Sequence, residues 1–149
     1  MEKTIKNNEV LSSRIFNFRK ELVFKAWENP NYLKNWWGPN GFTNTFLEFD
    51  FRPNGFWKFV MHSSDGKNFD NLSQFVEIKE NELILLNHIS KPKFQILATF
   101  EDLEGKTLLN FKMIFPSEKD CLKLKAFVTE KNEENFDRLE AELEKIKMN

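Results

Sequence analysis

The two histidines, His62 and His88, have the side chains best suited to move a proton near neutral pH. Glu48, Asp50, Arg52 and Glu77 lie on neighbouring segments that alternate like strands. One or two of these six turned into an apolar hollow, with pKa values moved by burial, would make an acid–base site. The structural alternative is that Asp50 and Arg52, two apart on one strand face, pair with each other, while Glu48 and Glu77 face water. A metal centre is disfavoured, because the histidines fall on different strands with no acidic or cysteine cluster beside them. Nucleophilic catalysis fares no better: Cys121 has no neighbouring histidine and reads as a buried, inert thiol. The stretch from Gly38 to Gly41 lacks the Lys-Ser/Thr ending of a phosphate loop. No cofactor is implied.

The elements that would position these groups show in the periodicity. Residues 9–16 read as a strand. Asn17 is a candidate cap for a helix whose apolar face carries Leu22, Val23, Ala26 and Trp27. Asn29-Pro30 breaks that helix and opens a short second one with Tyr32, Leu33, Trp36 and Trp37, stopped by Gly38-Pro39-Asn40-Gly41. From residue 42 the period becomes two: Thr45, Leu47, Phe49 and Phe51 on one face, Asn44, Phe46, Glu48 and Asp50 on the other. Further strands are expected at 56–62, 71–79, 82–89, 94–101 and 106–115, with turns at Pro53-Asn54-Gly55 and Asp65-Gly66. Ser117 to Asp120 resembles a capping box opening a short helix. Thr129 is a second cap, opening the last helix with Phe136, Leu139, Leu143 and Ile146 as its stripe.

The chain of 149 residues has the size of one domain, residues 1–149, of α+β class. A single sheet of six to seven antiparallel strands must cover one face. Curling around the long C-terminal helix solves this, with the two short helices after the first strand closing one end. The space so enclosed is filled by side chains or by a ligand. The chain has 17 Phe and 4 Trp against 1 Tyr, so its rings mostly lack a polar handle and belong in a core or along an apolar wall. Trp57, Phe59 and Met61 share the inward face of one strand. With Trp37, Phe49, Phe75, His88 and Phe136 they form the candidate ligand-binding set.

Several segments together resemble the activator of heat shock protein ninety ATPase homologue C-terminal-domain-like family. They are Glu21-Leu22-Val23-Phe24-Lys25-Ala26-Trp27, Trp36-Trp37-Gly38-Pro39, Asp50-Phe51-Arg52-Pro53-Asn54-Gly55, Trp57-Lys58-Phe59-Val60-Met61, Gly105-Lys106-Thr107 and Phe136-Asp137-Arg138-Leu139. Their order and spacing carry the resemblance from Arg14 onward. It implies the START-like (SRPBCC) helix-grip fold, whose members include carriers of hydrophobic ligands, polyketide cyclases and the co-chaperone domain that names the family. The chain departs from the family at Phe18-Arg19, usually Ala-Pro. It departs again at Lys131-Asn132, often Gly and then an aromatic.

Three functions follow as expectations. The first is binding of a small hydrophobic molecule between sheet and C-terminal helix, without catalysis. The second is a cyclase-type enzyme using acid–base residues in that cavity, and the third is co-chaperone action on a chaperone ATPase. With 22 basic and 23 acidic residues interspersed and a net charge of -1, no basic stripe invites nucleic acid. No apolar run approaches the roughly 20 residues of a membrane helix. The first residues lack the apolar stretch of a signal peptide and Cys121 is alone, so a cytoplasmic location is expected. An exposed sheet edge or the Trp-rich helix could support a homodimer.

Overall fold

Alternating side chains, tight turns and one amphipathic helix produce the expected architecture. The computed structural model describes residues 7–147. The chain runs β1 (Glu9–Phe16), α1 (Lys20–Glu28), α2 (Pro30–Trp36), β2 (Thr43–Phe49), β3 (Phe56–His62), β4 (Asn68–Lys79) and β5 (Leu83–His88). It ends with β6 (Phe94–Leu103), β7 (Lys106–Ile114) and α3 (Glu118–Ile146). Seven strands form one open antiparallel sheet in the order β1-β7-β6-β5-β4-β3-β2. The first strand returns beside the last, and the α1–α2 excursion joins the two edges of the sheet.

Period-two burial places Trp57 and Phe59 of β3, Ile84 and Leu86 of β5, Phe100 of β6 and Leu109 of β7 on the inner face. Phe136, Leu139, Leu143 and Ile146 of α3 meet that face. Phe136 sits edge-on against Phe16, with centroids 5.9 Å apart, and against Phe111 at 6.1 Å. Arg14 of β1 lies over the same ring and pairs with Asp137 at 2.8 Å and Glu133 at 3.0 Å. These pairs are partly exposed and contribute less than the ring contacts beneath them.

Three local expectations are corrected. The alternation in β2 breaks at a bulge between Phe46 and Glu48. Leu47 turns outward, 59% exposed, and Phe46 and Phe49 both face inward, stacked 5.7 Å apart. A bulge shifts every later side chain by one face, and no composition signal announces it. The first helix begins at Lys20 with Arg19 as its N-cap and no side-chain cap bond, so Asn17 does not serve. Finally, α3 is continuous over 29 residues from its Ser117 cap. Thr129 is internal to it, its Oγ1 donating to the Lys125 carbonyl one turn back.

Gly55 shows how tightly the β2–β3 turn closes. A Cβ there would lie 2.0 Å from the Asp50 carbonyl oxygen, so only glycine fits. In the same turn Arg52 Nε donates to Asp50 Oδ2 at 2.9 Å, the structural pairing weighed above.

The connection from α2 to β2 is held by one side chain of α3. Arg138 donates from Nη1 to the carbonyls of Trp37, Gly38 and Pro39, and from Nη2 to those of Asn35 and Phe42, at 2.8–3.2 Å. Burial pulls its pKa down, yet a guanidinium stays charged. Here it answers the negative end of α2 and five carbonyls, of which Trp37 also accepts from Asn44 Nδ2 and Pro39 from the Phe42 amide. Arg138→Met should therefore destabilise the protein by about 2 kcal/mol or more. Arg138→Lys should restore only part of that, since one ammonium cannot span the five acceptors. Denaturant unfolding of the three proteins measures both.

Candidate functional site

A hollow opens beside the middle of α3, and local geometry explains why Trp37 reaches it. The helix α2 ends at Trp36, and Trp37 has extended backbone, φ -68° and ψ 128°. Adjacent residues that would diverge on a helix can therefore both be buried. Trp36 Nε1 donates to the Ala26 carbonyl at 3.0 Å. Trp37 packs edge-on against Trp27, Trp36 and Trp57 and presents its remaining surface to a hollow of about 110 Å³. Phe94 and Ile96 of β6, Phe111 and Met113 of β7, and the Gly38-Pro39 turn form its apolar walls. Lys131, Asn132 and Asn135 line it from the helix.

Both asparagines are 7% exposed. The Asn135 Oδ1 accepts from Gly38 N at 3.1 Å, and Asn132 Nδ2 donates to Ser12 Oγ at 3.3 Å. Among the described residues, Asn135 Nδ2 and Asn132 Oδ1 have no hydrogen-bond partner. The hollow therefore offers one donor and one acceptor against apolar walls.

Two further clefts adjoin it along the strand ends. One of about 390 Å³ shares Phe94 with the hollow and includes His88 and Ile114. The other, of about 670 Å³, shares Lys93, Phe115 and Pro116 with the first and reaches Asp120, Lys123 and Leu124 of α3.

Of the eight side chains expected to bind a ligand, Trp37 stands on the wall of the hollow and His88 on the 390 Å³ cleft. Trp57 and Phe59 stack on each other with centroids 4.4 Å apart. Phe49 meets Phe75 at 5.8 Å. Phe136 is enclosed by Phe16 and Phe111, and half-buried Met61 sits at the Gly38 backbone. Phe94, Ile96, Phe111, Met113, Asn132 and Asn135 line the hollow without belonging to that set. The alternation of β6 and β7 marks Ile96, Phe111 and Met113 as inward, but not as wall rather than core.

The acid–base candidates are scattered. Glu48 and Glu77 are exposed, the latter 3.7 Å from Lys79. His62 sits on the outer face, 2.8 Å from Thr45 Oγ1 and 2.7 Å from Asn68 Oδ1. Of this set, His88 lines the 390 Å³ cleft, stacked on Phe94 with centroids 4.5 Å apart. Its Nδ1 is 2.8 Å from the Pro92 carbonyl, and its Nε2 is 2.8 Å from Asn71 Oδ1. Burial pushes its pKa below the ordinary histidine value, outweighing the hydrogen bond to Pro92. With its pKa lowered in the fold, His88 takes up a proton less readily than it does in the unfolded chain, where it titrates near about pH 6.5. Its contribution is complete above that pH and is lost as pH falls below it. The melting temperature of the protein should drop more between about pH 7 and pH 5 than that of His88→Gln. Parallel curves would refute this role.

No helix among the described residues is long and apolar enough to cross a membrane. The family described as activator of Hsp90 ATPase homolog 1-like protein matches residues 17–144. Solved structures share the fold at low identity. A protein of Nitrosomonas europaea is 18% identical, with 98% of this chain and 100% of that chain covered and a TM-score of 0.89. One of Arthrobacter aurescens is 21% identical over 97% and 90% of the two chains, with a TM-score of 0.87. The AHSA1 protein of Silicibacter pomeroyi is 19% identical over 91% and 96%, with a TM-score of 0.73. No curated protein matches the chain. A matching span from the approach to α1 almost to the end of α3, on the same seven-stranded frame, means that the chain belongs to the activator of Hsp90 ATPase homolog 1-like family.

Proposed function

We propose that this protein binds a small apolar molecule between the middle of α3 and strands β6 and β7. The observation that carries the reading is the pair of buried asparagines, each with half its amide uncommitted, at an otherwise apolar hollow. The two free amide atoms are not fully enclosed, since neither is among the buried unpartnered atoms, and a ligand bearing one acceptor and one donor can take the place of water at both. The hollow of about 110 Å³ is well below the roughly 300 Å³ at which drug-sized sites begin. A larger ligand must therefore extend past Phe94 into the adjoining clefts. The first half of α3 suits this: Leu122 is 66% and Phe127 60% exposed, so that stretch is held less firmly than the half bearing Phe136 and Leu143.

A neutral apolar fluorophore such as Nile red should bind saturably and change the emission of the buried tryptophans. Ile96→Phe, which fills the hollow, should weaken binding about tenfold while the melting temperature is maintained. Unchanged affinity in that variant would place the ligand elsewhere, and absence of saturable binding would end the reading.

The family description supports a second reading, action on a chaperone ATPase. The exposed Leu122 and Phe127 on one helix favour it, since apolar side chains of this size in water suit a protein contact. Stimulation of a purified Hsp90-type ATPase by the wild type, reduced in Leu122→Ser/Phe127→Ser, is the expected result. No stimulation would discard it.

A further inference from the structure

Charge at the outer end of the site identifies the kind of ligand, given that the hollow holds an apolar body. We propose that the ligand is an anionic amphiphile, an apolar chain ending in one carboxylate, with that carboxylate held at the 670 Å³ cleft by Lys91, Lys93 and Lys123. The cleft has an apolar floor that includes Phe115 and Leu124, and Asp120 is the one carboxylate among its lining residues. Three lysines less one aspartate leave it at +2, on a chain whose net charge is -1. The lysines come from two separate elements, the β5–β6 turn and the first turns of α3, so they converge only in the folded protein.

Among the described residues, none of the three lies within 4.0 Å of a carboxylate. Lys67, Lys79, Lys112, Lys131, Lys145 and Lys147 do, whereas Lys20, Lys25, Lys34, Lys58, Lys106, Lys119 and Lys125 do not, so what sets the three apart is their convergence on one apolar cleft. Uncompensated cations at the rim of an apolar cleft attract an anion attached to apolar matter. A neutral ligand would fill the floor and leave the charges unanswered, and an apolar cation would be repelled. The volumes agree: the 670 Å³ and 390 Å³ clefts both fall within the roughly 300–1,000 Å³ of small-molecule sites. Phe94 lines both the 390 Å³ cleft and the inner hollow, so a chain reaching past it would bring its far end, with any small polar group there, to Asn132 and Asn135.

Isothermal titration of the full chain with dodecanoate and with 1-dodecanol, both below their aggregation limits, separates head from body. Dodecanoate should bind about tenfold more tightly than the alcohol, as a few exposed ion pairs of modest strength allow. Lys91→Gln/Lys93→Gln/Lys123→Gln should abolish that advantage and leave the alcohol unaffected; all three side chains are exposed, so the fold is not at risk. About 0.5 M salt should have the same effect on the wild type. Equal affinities with an indifferent triple variant would overturn the head-group assignment and leave the apolar site intact. Failure of both ligands to bind would remove both. Binding to phosphatidylglycerol vesicles without binding of monomeric dodecanoate would also overturn it, in favour of a membrane surface.

Discussion

The guanidinium of Arg138 is the contact on which the arrangement of this protein turns. Helix α2 is only seven residues long and ends against a turn whose carbonyls point toward α3. The Pro39 carbonyl also accepts the Phe42 amide and the Trp37 carbonyl the Asn44 side chain, and the guanidinium serves the others; a buried carbonyl without a donor costs as much as a lost hydrogen bond. One planar group reaches Asn35, Trp37, Gly38, Pro39 and Phe42 together through the four N–H bonds of Nη1 and Nη2, Nη1 sharing its two among three carbonyls. The last helix is thereby fastened to the segment that carries Trp37, and the wall of the hollow acquires a fixed position. Arg14 does the corresponding task on the opposite edge, where β1 meets Glu133 and Asp137. Two arginines, one to carbonyls and one to carboxylates, bracket the part of α3 that packs firmly.

The aromatic residues divide according to the same geometry. Phe46, Phe49, Phe51, Trp57, Phe59 and Phe75 form a continuous set of ring contacts over β2 to β4. That end of the concave face is filled by side chains. The other end, over β6 and β7, carries Ala98 among its inward residues and receives the first half of α3. There Phe94, Ile96, Phe111 and Met113 border space rather than fill it. The hollow and the two clefts occur on this side, together with His88, the two uncommitted asparagines and the unpaired lysines.

The same division sets the chemistry of the middle of α3. Asn132 occupies the inner face and donates to Ser12 Oγ, so an amide rather than a hydrocarbon side chain stands at the wall of the hollow.

Much of the frame was legible in the order of residues, because period and punctuation are local. Alternation announced the seven strands, Asn29-Pro30 marked the break between the short helices, and the spacing of Phe136, Leu139, Leu143 and Ile146 marked the helix face that meets the sheet. The bulge at Leu47 and the continuity of α3 through Thr129 were not legible, since each depends on what lies opposite. The sequence by itself determined that rings would line a concave surface under the last helix. Only the tertiary structure decided which rings touch one another and which border empty space. The reason is physical: an inward apolar residue has one sequence signature whether its neighbour is a side chain or a void. Whether Asn135, Asn132 or Lys93 stands at that void depends on contacts between residues far apart in the chain.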